Sequence, residues 1–409
     1  MIVKKSPLNI LIIGTGMYVC GRGTNGYGTI LPAIYEWERL NKSGNLYIAG
    51  TSQKGITILK QKIKGLNDLY GFDIDPSCFP SKNVCDSKAY MDAIRKIPKP
   101  ACAIIVVPDD YHSKVAGDVI GNGLHALVVK PLAPTYREVC DLIELQEKYK
   151  VYCAVEFHKR YDRSNIRLKD TITSGRIGEP LYFLVEYSQR KSIPLERFRS
   201  WVEKTNIFQY LGIHYVDIIY FATSATPLRV IATGQKGYLL STGTNTYDSI
   251  QAVIEWKMPS GKIFTSVFLT NWIDPESSSA MSDQRIKVVG TKGRYEADQK
   301  RRGIFVVDDE NGIEEPNPDF CSLFGTDRES FSFQGYGIES IVQFLKDVIG
   351  IEDGNTRVED LEGLRPTFKE SIIPTMILEA VNKSLNTDGQ WIEIKFAGNS
   401  VINLEGTFK

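Results

Sequence analysis

The sequence predicts an α/β protein: an N-terminal Rossmann doubly wound parallel sheet, followed by a C-terminal α/β domain on an open, mostly antiparallel sheet. Three observations predict it. Short, continuously apolar runs alternate with helical patterns over the first 155 residues. A glycine-rich turn directly follows the first of those runs, and the later runs become longer and alternating.

The early strands are expected at 9–13, 46–51, 101–107, 125–129 and 151–157, where unbroken Val/Ile/Leu character fits burial on both faces of a parallel sheet. Helical spacing lies between them at 32–40, 56–70, 89–96, 113–122 and 136–149. This β-α-β order places ligands at the C-terminal strand ends. Later strands are expected at 181–189, 229–238, 250–258, 263–272, 285–289 and 304–307, with turn residues such as Pro259-Ser260-Gly261 between them. Helical patterns recur at 165–173, 213–223, 338–349 and 375–385, and the polar stretch 309–327 reads as a long loop. The expected division is a parallel-sheet domain over 1–155 and a mostly antiparallel-sheet domain over 156–409, with a helix and strand at about 374–394 closing the fold.

Charge narrows the function classes. The 409 residues carry 49 Lys+Arg against 49 Asp+Glu, which speaks against a nucleic-acid footprint and against polybasic membrane attachment. The seven cysteines, Cys20, Cys78, Cys85, Cys102, Cys140, Cys153 and Cys321, are odd in number and show no C-x-x-C spacing. Reduced thiols in a cytoplasmic protein follow, with no disulfide framework and no metal site. Lys4 and Lys5 before an apolar run imitate a signal peptide, but the run stops at Gly14 and reads better as a buried first strand. No stretch approaches the roughly 20 apolar residues that span a bilayer.

Gly14, Gly16, Gly21, Gly23, Gly26 and Gly28 crowd one segment. A G-x-G-x-x-G string occurs at 21–26, but a dinucleotide fingerprint must begin where the strand ends, so that backbone N–H groups face a pyrophosphate. Gly14-Thr15-Gly16 meets that condition, with Val19 at the third position and 17–28 as an enlarged loop before a helix starting near Thr29. Gly14, Thr15, Gly16, Met17 and Tyr18 are the cofactor candidates of this turn. At the end of the second strand, Thr51, Ser52 and Lys54 stand where an acidic residue would hold a ribose 2′-hydroxyl. No Asp or Glu occurs from Arg39 to Asn67, whereas Arg39, Lys42, Lys54, Lys60, Lys62 and Lys64 do. Either these cations favour NADP over NAD, or most belong to a solvated helix face with only Lys54 near the ribose.

The stretches AIIVVPDDYHSKVA, HALVVKPLAPTYREV, AVEFHKRYD, ITSGRIGEP and LGIHYVDIIYF follow in order. Together with the GTG turn they resemble the Gfo/Idh/MocA oxidoreductases, the group of inositol dehydrogenases and glucose-fructose oxidoreductase. The resemblance implies an NAD(P)-binding Rossmann domain, a carbohydrate-type substrate and a homodimer or homotetramer built through the C-terminal sheet. It aligns Lys130 with the lysine of a Glu-Lys-Pro motif, between nicotinamide and substrate hydroxyl, although Val129 replaces the glutamate. It aligns His214 with the histidine of G-x-H-x-x-D, a candidate general base, while Tyr210 replaces an aspartate one turn earlier. Pro108, Asp109 and His112 fall beside the cofactor ribose, with a helix-capping role equally open for His112. Arg160 and Tyr161 fall at substrate contacts, and Trp201, Gln209 and Tyr336 are further pocket candidates beside Lys130, Tyr210 and His214. His125 and His158 carry no motif and are read as structural.

The expected activity is therefore hydride transfer between NAD(P) and a hydroxyl or carbonyl carbon of a sugar, cyclic polyol or sugar derivative. Two alternatives stay open at this point: a non-catalytic dinucleotide sensor, or an enzyme using tightly bound NAD(P) for transient oxidation.

Overall fold

The structure, a computed structural model, describes residues 7–41, 44–81, 84–310, 312–327, 330–397 and 400–406. Lys4, Lys5 and Lys42 lie outside the described residues. The chain divides into two compact units, one of Met1–Ala133, Arg137–Tyr161 and Asp319–Ser371, the other of Pro134–Tyr136, Asp162–Pro318 and Ile372–Lys409.

The first unit opens with β1 (Asn9–Ile13), α1 (Met17–Cys20), α2 (Ile30–Asn41), β2 (Leu46–Ala49), α3 (Gln53–Tyr70) and β3 (Ser77–Phe79). It continues through α4 (Ala89–Lys96), β4 (Ala101–Ile105), α5 (His112–Gly121), β5 (His125–Val129), α6 (Tyr136–Tyr149) and β6 (Cys153–Glu156). Its strands form one parallel sheet in the order β3-β2-β1-β4-β5-β6. Strand order reverses between β1 and β4, the place where an open α/β sheet leaves a crevice for a ligand. All five residues of β1 and of β4 are buried, which is why those segments read as unbroken apolar runs.

α3 shows how local chemistry sets an element. Ser52 caps it by accepting from the Gly55 N–H, and Ile56, Leu59, Ile63 and Leu66 form the buried stripe. Gly71, at φ +70°, ends it by donating to the Asn67 carbonyl.

The second unit runs α7 (Arg163–Thr173), β7 (Pro180–Arg190), α8 (Ile213–Thr223), β8 (Thr226–Gln235), α9 (Tyr238–Ser241), β9 (Ser249–Lys257) and β10 (Ile263–Asp274). β11 (Ser282–Gly290), β12 (Arg294–Asp298), β13 (Val306–Asp308) and β14 (Gly312–Glu314) follow. The chain then re-enters the first unit as β15 (Ser322–Phe324), β16 (Ser332–Gln334) and α10 (Tyr336–Glu352). It ends in the second with α11 (Ile372–Leu385), β17 (Ile392–Ala397) and β18 (Ser400–Gly406). The large sheet has the order β12-β11-β7-β10-β9-β8-β17-β18 and is antiparallel except where β10 pairs with β7. One face is covered: Phe183, Val185, Ile254, Trp256, Phe264, Phe268 and Trp272 are buried along it.

Several sequence expectations shift here. The first helix does not wait for Thr29. α1 starts at Met17, directly after the GTG turn, and stops at Gly21, whose φ of +68° accommodates a left-handed cap. The segment from Gly21 to Thr29 is thus an interruption within a helical path, and the Thr29 N–H returns to the Tyr18 carbonyl at 2.7 Å. The expected strand 229–238 ends at Gln235, because the Asp248 carboxylate accepts from the N–H groups of Tyr238 and Leu239 and starts α9 there. The stretch 309–327 contains β14 and β15. The two-part division at 155 does not include the return of Asp319–Ser371, where Ile338, Ile341, Phe344 and Leu345 of α10 share a core with Ile34, Trp37 and Ile48.

Candidate functional site

The first unit brings its candidates to the C-terminal edge of the parallel sheet. Gly14 adopts φ +129°, and a Cβ there would lie 2.0 Å from the Val106 carbonyl oxygen, so only glycine closes the turn between β1 and β4. Gly16 is the opposite case: a Cβ would meet no protein atom within 4 Å. The chain leaves open space over the turn, which suits close approach of a pyrophosphate. Thr15 is buried against α3, its hydroxyl 2.5 Å from where a Gly55 Cβ would be.

Lys130 follows β5, and Pro131 follows it. Burial pushes the ammonium down to about 8, against the carboxylates of Asp109 and Glu156, which both raise it. Asp109 is buried at the turn after β4. Glu156 ends β6, buried, in register with Val129. Its carboxylate accepts from the Ser340 hydroxyl at 2.8 Å and lies 2.9 Å from His158 Nδ1. Tyr18 Oη lies 3.3 Å from the same His158 nitrogen. Burial and Glu156 hold the Tyr18 phenol well above its ordinary value. The His158 ring lies among Tyr18, Phe320 and Tyr336, with centroids 6.2, 5.3 and 5.7 Å away. Tyr336 thus walls this cluster rather than standing apart from it. Beyond Glu156 lies a cavity of ≈ 10 Å³, lined by Ser340, Tyr152, Tyr161 and Asp347 among others, room for about one water.

Three other first-unit candidates have partners within the unit. Both ring nitrogens of His112 face carbonyl oxygens, Nδ1 that of Pro131 at 2.5 Å and Nε2 that of Val107 at 2.8 Å. His112 ties together the turns after β4 and β5, with Pro108 opening the first of them. Arg160 is buried and pairs with Glu370 at 3.2 Å. Burial raises the Tyr161 phenol, which lines the small cavity.

The cations expected near the ribose disperse. Arg39 pairs with Glu36 at 2.7 Å, an acid just outside the window that looked unopposed. Lys62 donates to the carbonyls of Thr24, Asn25 and Gly26 at 2.9, 3.2 and 2.7 Å and so braces the glycine loop. Lys60 and Lys64 are exposed on α3. Lys54 remains, exposed at the second position of α3, beside the Ser52 cap and Thr51. The loop adds a cation that pattern reading did not select: Arg22 Nη1 lies 3.5 Å from where a Gly55 Cβ would be, over the start of α3.

In the second unit, a π-helical turn at Phe208–Gly212 leads into α8 and sets His214 in its first turn, buried. Asp217 is buried one turn later. Tyr210 packs among Phe198, Trp201 and Trp272, with ring centroids 4.7, 6.1 and 6.2 Å away. The backbone N–H of buried Gln209 donates to the Asn206 side-chain oxygen at 2.9 Å. His214, Gln209, Tyr210 and Trp201 therefore gather around one irregular turn.

Comparison with known proteins follows this division. Residues 42–157 match the NAD-binding Rossmann fold of the Gfo/Idh/MocA oxidoreductases, and residues 166–296 match that family's C-terminal domain. The chain belongs to the Gfo/Idh/MocA oxidoreductase family. A myo-inositol 2-dehydrogenase of Thermotoga maritima is 28% identical over 228 residues, 55% of this chain and 65% of that protein. A glucose-6-phosphate 3-dehydrogenase of Bacillus subtilis is 22% identical over 297 residues, 68% of this chain and 82% of that protein. The match spans 51% to 65% of the first four curated relatives' own lengths. Among solved structures, scyllo-inositol dehydrogenase of Lactobacillus casei, with bound NAD(H) and scyllo-inositol, superposes with a TM-score of 0.64 at 13% identity, covering 95% of this chain and 99% of that one.

In this Gfo/Idh/MocA chain, pattern reading passed over Glu156 and left His158 as structural. The available signal was a carboxylate and an imidazole in E-F-H at a predicted strand end, two ionisable groups where an apolar strand turns into a loop. Among the described residues, no cluster of His, Cys, Asp or Glu is arranged to hold a metal, and no helix is long and apolar enough to cross a membrane. The seven cysteines are free thiols.

Proposed function

We propose that this chain is an NADP-preferring dehydrogenase or reductase of a sugar, cyclic polyol or sugar derivative. The observation that carries the reading is Lys130: a lysine lowered to about 8 at the sheet's C-terminal edge, after β5 of a family NAD-binding domain. Bound NAD(P) supplies the hydride acceptor or donor. Gly14, Thr15, Gly16 and Met17 form the turn that would take the pyrophosphate. Lys130 donates to the substrate oxygen and stabilises it as it gains charge, the preorganised donor role with the greatest leverage in such sites. His214 is the candidate proton acceptor of the second unit, with Tyr210 as its neighbour on the same turn. The relatives that act on inositols and on glucose-6-phosphate support the carbohydrate class.

Arg22, Ser52 and Lys54 support the NADP preference, since two cations and a hydroxyl stand at the start of α3 where an acidic residue would disfavour a 2′-phosphate. The uncovered face of the large sheet supports a homo-oligomer. Tyr182, Leu184, Val267 and Leu269 share that face, and Tyr182 and Leu269 are exposed.

A non-catalytic sensor is the second reading. Tyr210 favours it, because packing against Phe198, Trp201 and Trp272 accounts for that residue without any chemistry. Binding of NADPH and NADH is measured first, then absorbance change on a panel of inositols, sugars and sugar phosphates. Tighter NADPH binding with turnover on one of them sustains the proposal. Binding without turnover on any points to the sensor.

A further inference from the structure

We propose that Lys62 is a positioning residue for the dinucleotide: its ammonium docks the glycine loop onto α3 and thereby sets the Arg22 guanidinium over the start of that helix, to meet a 2′-phosphate. This deepens the NADP reading and rests on it.

One side of α3 is shaped to receive the loop. Gly55, Lys62 and Gly65 fall on that side. A Cβ at Gly65 would lie 2.9 Å from Tyr27 Oη, and a Cβ at Gly55 would lie 2.5 Å from Thr15 Oγ1. The two glycines therefore let the loop and the GTG turn lie directly against the helix. Between them Lys62 Nζ stands 5.6 Å from the Tyr27 ring centroid. It donates to the carbonyls of Thr24, Asn25 and Gly26 at 2.9, 3.2 and 2.7 Å. An ammonium has three N–H donors and no acceptor. Three consecutive carbonyls take them, which leaves none for a phosphate. Whatever Lys62 does for a ligand passes through the loop.

The loop needs such a clamp. Gly21, Gly23 and Gly28 hold φ of +68°, +82° and +74°, so its backbone is free to take other paths. Its far end is tied by the Cys321 thiol, which donates to the Gly28 carbonyl at 3.5 Å, and by Tyr27 packed edge-on to Phe333, centroids 6.4 Å apart. Its near end carries Arg22, whose Nη1 lies 3.5 Å from the same point above Gly55 that the Thr15 hydroxyl approaches. Without the ammonium, three carbonyl dipoles converge on one spot and repel. Arg22 must then be ordered at the moment of binding, which costs affinity.

The test reads loop and ligand separately. Hydrogen exchange of the cofactor-free protein, followed by mass spectrometry over residues 21–29, reports the loop, and fluorescence titration with NADPH and NADH reports the ligand. Lys62→Met is expected to speed exchange there about tenfold. It should weaken NADPH binding about three- to fivefold and leave NADH within about twofold. Lys64→Met removes the same charge from an exposed position of α3 and should do neither. Lys62→Arg keeps the charge but spreads its donors in a plane, and should recover part of both effects. Added to Arg22→Ala, Lys62→Met should cost less than about twofold in NADPH affinity, because the group it positions is gone. Unchanged NADPH affinity in Lys62→Met overturns the proposal. So does the same loss with and without Arg22, or the same loss in Lys64→Met, either of which marks a charge acting through solvent. Failure of the NADP reading is recognised separately: the parent and Arg22→Ala then bind NADPH no more tightly than NADH, and the proposal falls with it although the loop still loosens in Lys62→Met.

Discussion

Gly14 and Gly16 stand two residues apart and face opposite constraints. Gly14→Ala places a Cβ against the Val106 carbonyl at a left-handed φ, so a loss of stability exceeding about 1 kcal/mol is expected in urea unfolding. Gly16→Ala meets no atom within 4 Å and should unfold at the parent's midpoint. Its cost is expected in dinucleotide affinity instead, about tenfold or more by fluorescence titration, because the methyl group fills the space left over the turn. Equal stability loss in both variants would remove the reason for assigning that space to a ligand. Lys130 has a similar double character. Its folded-state value, about 8, lies below the roughly 10.4 of an unfolded lysine. In the interval between these values the unfolded chain binds more protons, so the lysine's destabilising effect is full below about pH 8 and is relieved as pH rises toward 10. Lys130→Met should therefore be more stable than the parent at pH 7, with the gain shrinking from pH 8 to 10 in urea melts, while turnover falls by about a hundredfold or more.

At the scale of elements, β1, β5, α4, α6 and α8 stand in the structure with the boundaries expected from sequence. Each is an apolar run or stripe bounded by residues with strong local preferences, so local physics alone defines it. The break between α1 and α2 was harder to read because its four glycines permit many paths, and the actual one is chosen by contacts at a distance, with Lys62 of α3 holding three loop carbonyls. Glu156 was passed over for the same reason. Its partner Ser340 stands 184 positions further along the chain, and no local window contains both. The cation count at the ribose edge erred because side-chain partners are set by the fold: Arg39 turns to Glu36 and Lys62 to the loop. What remains there makes a narrower prediction. Arg22→Ala and Lys54→Ala should each weaken NADPH binding about five- to tenfold and leave NADH binding within twofold. Equal weakening of both cofactors would place these cations elsewhere than at a 2′-phosphate.

At the scale of the whole molecule, the open face of the eight-stranded sheet should decide assembly. Val267→Arg with Leu269→Glu puts charge on that face without touching the covered one, and light scattering should then report a lower mass than for the parent. An unchanged mass would move the interface to another surface. The first unit also has a history imposed by its connectivity. Its sheet is complete by Tyr161, but the helix carrying Ile338, Ile341, Phe344 and Leu345 arrives only after the whole span from Asp162 to Pro318 has been made. At ordinary translation speeds, the wait until Ser371 emerges is on the order of ten to forty seconds. Throughout it, the nascent chain carries a half-covered groove beside Ile34 and Trp37, a surface for chaperones to shield before the protein's own helix displaces them.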